Sequence, residues 1–106
     1  ILIMDKVITP EDIKIMVERK TGLIDISKKT RIQNYVCVRY TAVVLCKDFV
    51  TKKERTHEIL AKLLGFNNQS VCNHAHVTFN SNFNQSWFSE YRDLYIRCAK
   101  EILNYK

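Results

Sequence analysis

Apolar residues recur along most of the chain at helical spacing, three and four apart, and that rhythm predicts a series of helices. Thr9-Pro10-Glu11-Asp12 is a helix start: Thr9 can cap, Pro10 suits the first turn, and the two acids complement the dipole. Ile13, Met16 and Val17 then follow on one face, and Gly22 supplies a stop, so the first helix spans Pro10 to about Lys20. Tyr35-Val36-Cys37-Val38 and Ala42-Val43-Val44-Leu45 are β-branched and apolar enough for strands. Yet residues 32–50 contain no turn signal and are too long for an ordinary strand, so a mostly buried helix is the better reading. Val36, Tyr40, Val43, Cys46 and Val50 are expected on its buried face, with Arg39 and Lys47 on another.

Thr56 is placed to cap a short helix, His57–Leu64, with Ile59, Leu60, Leu63 and Leu64 inward and Gly65 as its stop. Asn68 is placed to cap the next helix, Gln69 to about Phe79. Residues 80–85 read as an Asn-rich loop. Ser86 then caps a last helix, Trp87–Tyr105, whose Trp87, Tyr91, Leu94, Tyr95, Cys98 and Ile102 form a core stripe. Tyr91, Tyr95 and Tyr105 are also available to a partner. The expected architecture is all-α: one domain over residues 1–106, a compact bundle of five to six helices with a helix-turn-helix at about residues 56–79.

Composition supports this. The chain has 106 residues with only two Gly and one Pro, fewer turn formers than an all-β fold needs. Neither phosphate-loop pattern can be written around Gly22 and Gly65, and no apolar run approaches the roughly 18 residues of a membrane span. No membrane association and no small-molecule substrate are expected. Cys37, Cys46, Cys72 and Cys98 form no C-x-x-C pair and sit in apolar-leaning segments, the usage of reduced thiols in a cytoplasmic protein. The net charge is +6, and residues 31–57 hold +4 of it. Concentrated positive charge is the footprint of a polyanion binder. A solvated basic face is the plainer reading.

In a helix-turn-helix, residues at the start of the second helix meet base edges in the major groove. Here they are Asn68, Gln69, Ser70 and Asn73, types able to pair with bases. Asn68 also serves as a cap, and the plainer reading of Gln69 and Ser70 is an exposed helix start.

Arg31, then Arg39-Tyr40-x-Ala42, then Ile59-Leu60-x-x-Leu63-Leu64-Gly65, then Asn68-Gln69-Ser70-Val71-x-x-His74-Ala75 resemble the C-terminal DNA-binding domain of bacterial replication initiators of the DnaA family. The likeness covers about residues 7–95. It implies five or six helices in this order, of the Trp-repressor-like group. It also implies sequence-specific binding of double-stranded DNA, in replication initiation or transcription control. Position by position, it places Arg31 in the minor groove within a basic loop that includes Lys28 and Lys29. Gln69 and Ser70 fall where the family's His and Thr read bases. Arg39, Tyr40, Lys47, Lys28, Lys29 and Val71 fall at DNA-backbone positions, with Tyr40 where the family usually has Gln. The signature Arg-Asp-His-Thr-Thr is here Asn67-Asn68-Gln69-Ser70-Val71, which changes the hydrogen-bond code. The loop before the motif is about three residues longer and adds Lys52, Lys53 and Arg55. His74 is retained, and packing or capping is its simpler role.

Two other functional classes stand beside DNA binding. For an enzyme, no carboxylate is spaced to a His or a nucleophile. Cys72 and His76 share one helix face, but two ligands do not make a zinc site. No catalytic residue, metal or cofactor is expected. The alternative to DNA binding is a protein-interaction module that kept the fold, with a protein as its partner.

Overall fold

A computed structural model describes residues 8–28, 30, 32–50, 56–66 and 68–104. Among them there are five α-helices and no strand: α1 Pro10–Thr21, α2 Gln33–Phe49, α3 His57–Leu64, α4 Ser70–Asn82 and α5 Ser89–Asn104. A 3-10 turn, Ser86–Phe88, leads into α5.

The first helix starts as its sequence dictates. Thr9 Oγ1 accepts from the Asp12 amide at 3.2 Å, and the Thr9 amide donates to Asp12 Oδ2 at 3.1 Å. This reciprocal box satisfies two amides that a helix start otherwise leaves unpaired. Gly22 closes the helix in the left-handed region, its amide bonded to the Glu18 carbonyl.

Helix α2 is the axis of the bundle, packed against α4, α5 and α1. That explains a difference from the expected single buried face. Val43, Cys46 and Val50 are buried, but so are Cys37, Val38, Thr41, Ala42, Val44 and Leu45, whereas Val36 and Tyr40 are only half-buried. A helix enclosed by three neighbours needs apolar side chains around most of its circumference. Its buried hydroxyl is satisfied: Thr41 Oγ1 donates to the Cys37 carbonyl at 2.8 Å.

Thr56 caps α3 by accepting from the Ile59 amide, and Leu60, Ala61 and Leu64 are buried. Ile59, expected inward, is 40% exposed. Helix α3 has eight residues and packs chiefly on α4 and α1, so its inward strip is narrow.

Helix α4 runs to Asn82, past the expected end near Phe79, so the loop is confined to residues 83–85. Asn82 Nδ2 donates to the Thr78 carbonyl at 2.9 Å, an internal bond that lets an asparagine stay helical.

Ser86 opens the 3-10 turn and not α5. The tighter winding changes which residue points inward: Phe88 is buried and Trp87 is 51% exposed. Phe79 meets Phe88 with ring centroids 5.1 Å apart and Tyr95 at 5.7 Å. Tyr91, Leu94, Cys98 and Ile102 complete the stripe, so Tyr91 belongs to the core and Tyr95 packs against its edge. Tyr105 lies outside the described residues.

All four cysteines are buried free thiols. Burial pushes Cys98 up to about 11 and raises Cys37 and Cys72. Neutral, buried thiols behave as small apolar side chains.

Candidate nucleic-acid interface

The first turn of α4 is organised by its own side chains. Asn68 Oδ1 accepts from the Ser70 amide at 2.8 Å and from the Ser70 hydroxyl at 2.9 Å. Asn68 thus caps the helix start as its sequence predicts, one residue ahead of the N-cap position, Gln69. Beyond it, Cys72, Ala75 and Phe79 face the core. Ser70, Asn73, Val77 and Asn80 are exposed and recur at three- and four-residue spacing, so they share the opposite face.

That face carries no charge. Residues 59–89 contain no Asp or Glu, and residues 26–47 contain none either. The first run includes all of α3 beyond its first turn and all of α4. The second includes the approach to α2 and nearly its whole length. This pattern was available in the sequence and is sharper than the net charge of residues 31–57.

The loop between α1 and α2 is fixed from several directions. Asp25 adopts φ +52°, and its Oδ1 accepts from the Ser27 amide at 3.2 Å. The Ser27 bonds, then the Lys14 ammonium, hold the Asp25 carboxyl below its ordinary range. Ile26 is fully buried, and its amide donates to Glu18 Oε2 at 2.8 Å. The Ser27 carbonyl lies against Gly65, where a Cβ would stand 2.1 Å from that oxygen. Gly65 also has φ +75°, so both conformation and space require glycine there. This contact ties the loop to the turn between α3 and α4.

Arg39 completes the arrangement. It was expected with Lys47 on another face of α2 from the buried one, at a DNA-backbone position, but it is 7% exposed. Its Nη2 donates to the Thr30 carbonyl at 2.6 Å, Nη1 to the Lys28 carbonyl at 3.2 Å, and Nε to the Tyr35 carbonyl at 3.3 Å. Burial lowers its pKa from the ordinary value. The guanidinium fork suits this task, since its donors fan out in one plane. Arg39 therefore holds the basic loop against α2. Loop geometry of this kind leaves no signature in residue spacing.

Of the remaining expected site residues, Gln69 is exposed and Val71 half-buried. Tyr40 is half-buried and meets His74 edge-on, ring centroids 6.2 Å apart. His74 also lies 3.4 Å from Thr78 Oγ1, a packing role on α4 itself. Lys28 is exposed and Lys47 half-buried, and neither forms an ion pair among the described residues. Lys47 is close enough to the Cys72 thiol to oppose the effect of its burial, which places it where α2 meets α4. Lys29, Arg31, Lys52, Lys53, Arg55 and Asn67 lie outside the described residues.

Cys72 and His76 each have another partner. Cys72 Sγ donates to the His57 carbonyl at 3.7 Å, and His76 lies 3.3 Å from Asn80 Nδ2. No group of three metal-ligating side chains occurs among the described residues, and no described helix is long and apolar enough to cross a membrane.

Compared with family models, with curated proteins and with solved structures, the chain matches none.

Proposed function

We propose that the protein binds double-stranded DNA, with α4 in the major groove and the basic loop of residues 28–31 in the adjacent minor groove. One observation carries this reading. The exposed face of α4 carries no acid and no Lys or Arg, and Lys28 in the loop before α2 and Lys47 on α2, the helix on which α4 packs, have no acidic partner among the described residues. A phosphate backbone requires such surroundings, because each acid beside it would repel and each paired lysine would have to give up its partner. The likeness to the DnaA family's DNA-binding domain supports the same docking.

In this reading Gln69, Ser70 and Asn73 face base edges, with Asn68 ordering the helix start. Lys28 and Lys47 meet phosphates. Arg39 acts through the loop it holds.

Fluorescence anisotropy with labelled duplexes across about 50–300 mM salt tests this. With about five phosphates contacted, log K should fall against log salt with a slope of about −4 to −5. Selectivity for an initiator box over a scrambled duplex would extend the DnaA likeness from fold to target. Absence of binding at the lowest salt overturns DNA binding and leaves a protein-interaction module.

A further inference from the structure

The residue types on α4 restrict which bases it can read. This inference rests on the reading of α4 as the groove-facing helix. Guanine is read in the major groove chiefly by Arg or Lys, which donate to O6 and N7, and cytosine by Asp or Glu, which accept from N4. The segment 68–82 contains none of these four residue types. It offers instead the side-chain amides of Gln69, Asn73 and Asn80, which match the N6 donor and N7 acceptor of adenine. Val77 lies on the same face and is 55% exposed. An isolated exposed valine is ordinary on a protein surface. Here it stands one turn beyond Asn73 and one turn before Asn80, between two adenine-matching amides. An apolar group in that place matches the thymine 5-methyl, the one apolar feature of the major-groove edge.

The spacing agrees with a short site. From Ser70 to Val77 the helix rises seven residues, about 10 Å. That is about three base-pair steps at 3.4 Å each.

We infer that α4 selects A·T-rich duplex through the major groove, with Val77 packing on a thymine methyl about three base pairs from the step met by Ser70.

Four labelled duplexes of about two helical turns test it. They contain only A·T, only G·C, only inosine·C, or A·U pairs in the A·T order. Inosine·C presents the minor groove of A·T and a G·C-like major groove, because hypoxanthine keeps O6 and N7 and lacks the 2-amino group. Uracil removes only the methyl. The A·T duplex should bind about tenfold or more tighter than G·C, and inosine·C should behave as G·C does. The A·U duplex should bind several-fold more weakly than A·T, and Val77→Ala should erase that difference. Val77 is exposed, so the variant is expected to fold. Equal binding to A·T and G·C overturns the inference while leaving DNA binding intact. Inosine·C binding as tightly as A·T overturns the major-groove assignment. An unchanged A·T to A·U ratio in Val77→Ala overturns the role of Val77. Failure to bind any duplex overturns the underlying reading instead.

Discussion

The α1–α5 side and the α2–α4 side of the bundle both carry cations, and they differ in what stands beside them. On the first, Arg19 and Lys20 both reach Glu101, at 3.0 and 2.9 Å, and Lys14 reaches Glu18 and Asp25 at 3.0 and 3.3 Å. On the second, Lys47 on α2, with Lys28 in the loop that leads into it, pairs with no acid among the described residues, and the charge of Arg39 is turned inward onto carbonyls. Exposed ion pairs stabilise a fold by little, about 0–1 kcal/mol each. They do neutralise a surface. Cations not engaged in ion pairs attract a polyanion at longer range, and the loss of their counterions favours its binding. The same residue type is thus structural filler on one side and a candidate contact on the other. Counting charges along the chain cannot separate the two.

The largest test of this division acts on the turn that joins the loop to α4. Gly65→Ala adds left-handed strain and a clash with the Ser27 carbonyl, and should cost about 2–4 kcal/mol in urea unfolding. Gly22→Ala has the same φ of +75° with open space around it, and should cost about 1 kcal/mol. Equal losses at the two glycines would mean that the loop is not locked against the α3–α4 turn.

Next in size, Gln69→Ala should weaken binding to a selected duplex by about 1–3 kcal/mol and change binding to random duplex little. Equal losses on both would remove Gln69 from base readout.

A third test separates core from interface. Tyr91 donates to Asn34 Oδ1 at 2.6 Å, and burial, with smaller contributions from Cys37 and Glu90, pushes its pKa up to about 12. A phenol raised above its unfolded value of about 10 stabilises the fold fully below pH 10 and loses that contribution as pH rises toward 12. Tyr91→Phe should cost about 1 kcal/mol at neutral pH, and the gap to the parent should close through that window. Thermal melts against pH read this, and duplex binding at neutral pH should be unaffected.

The smallest effect is expected on the paired side. Arg19→Ala should change stability by less than about 1 kcal/mol.

Local rules made much of this fold legible in the sequence. The Thr9 capping box, the Thr56 and Asn68 caps and the two glycine stops each depend on residues within a few positions of one another. The same locality made α3 and α4 visible as a pair. Readings that depended on neighbours in space were less secure. Arg39 looked like a surface cation because its carbonyl partners at Lys28 and Thr30 lie 11 and 9 residues away on a loop with no regular period. Trp87 looked like the head of the core stripe because a 3-10 turn shifts the phase that a helical count assumes. Val77 carries no signal in the sequence, because an exposed apolar residue on a helix has no meaning until the opposite face is known. Gly65 read as a helix stop, which it is, but its contact with Ser27 needed the fold to show it.

The most direct test of the division is the salt dependence of duplex binding in the parent, in Lys28→Ala/Lys47→Ala and in Arg19→Ala/Lys20→Ala. The expected slope of about −4 to −5 should flatten by about two units in the first double variant and stay at the parent value in the second. Equal flattening in both variants, or a parent slope near zero, would contradict the assignment of DNA binding to the α2–α4 face.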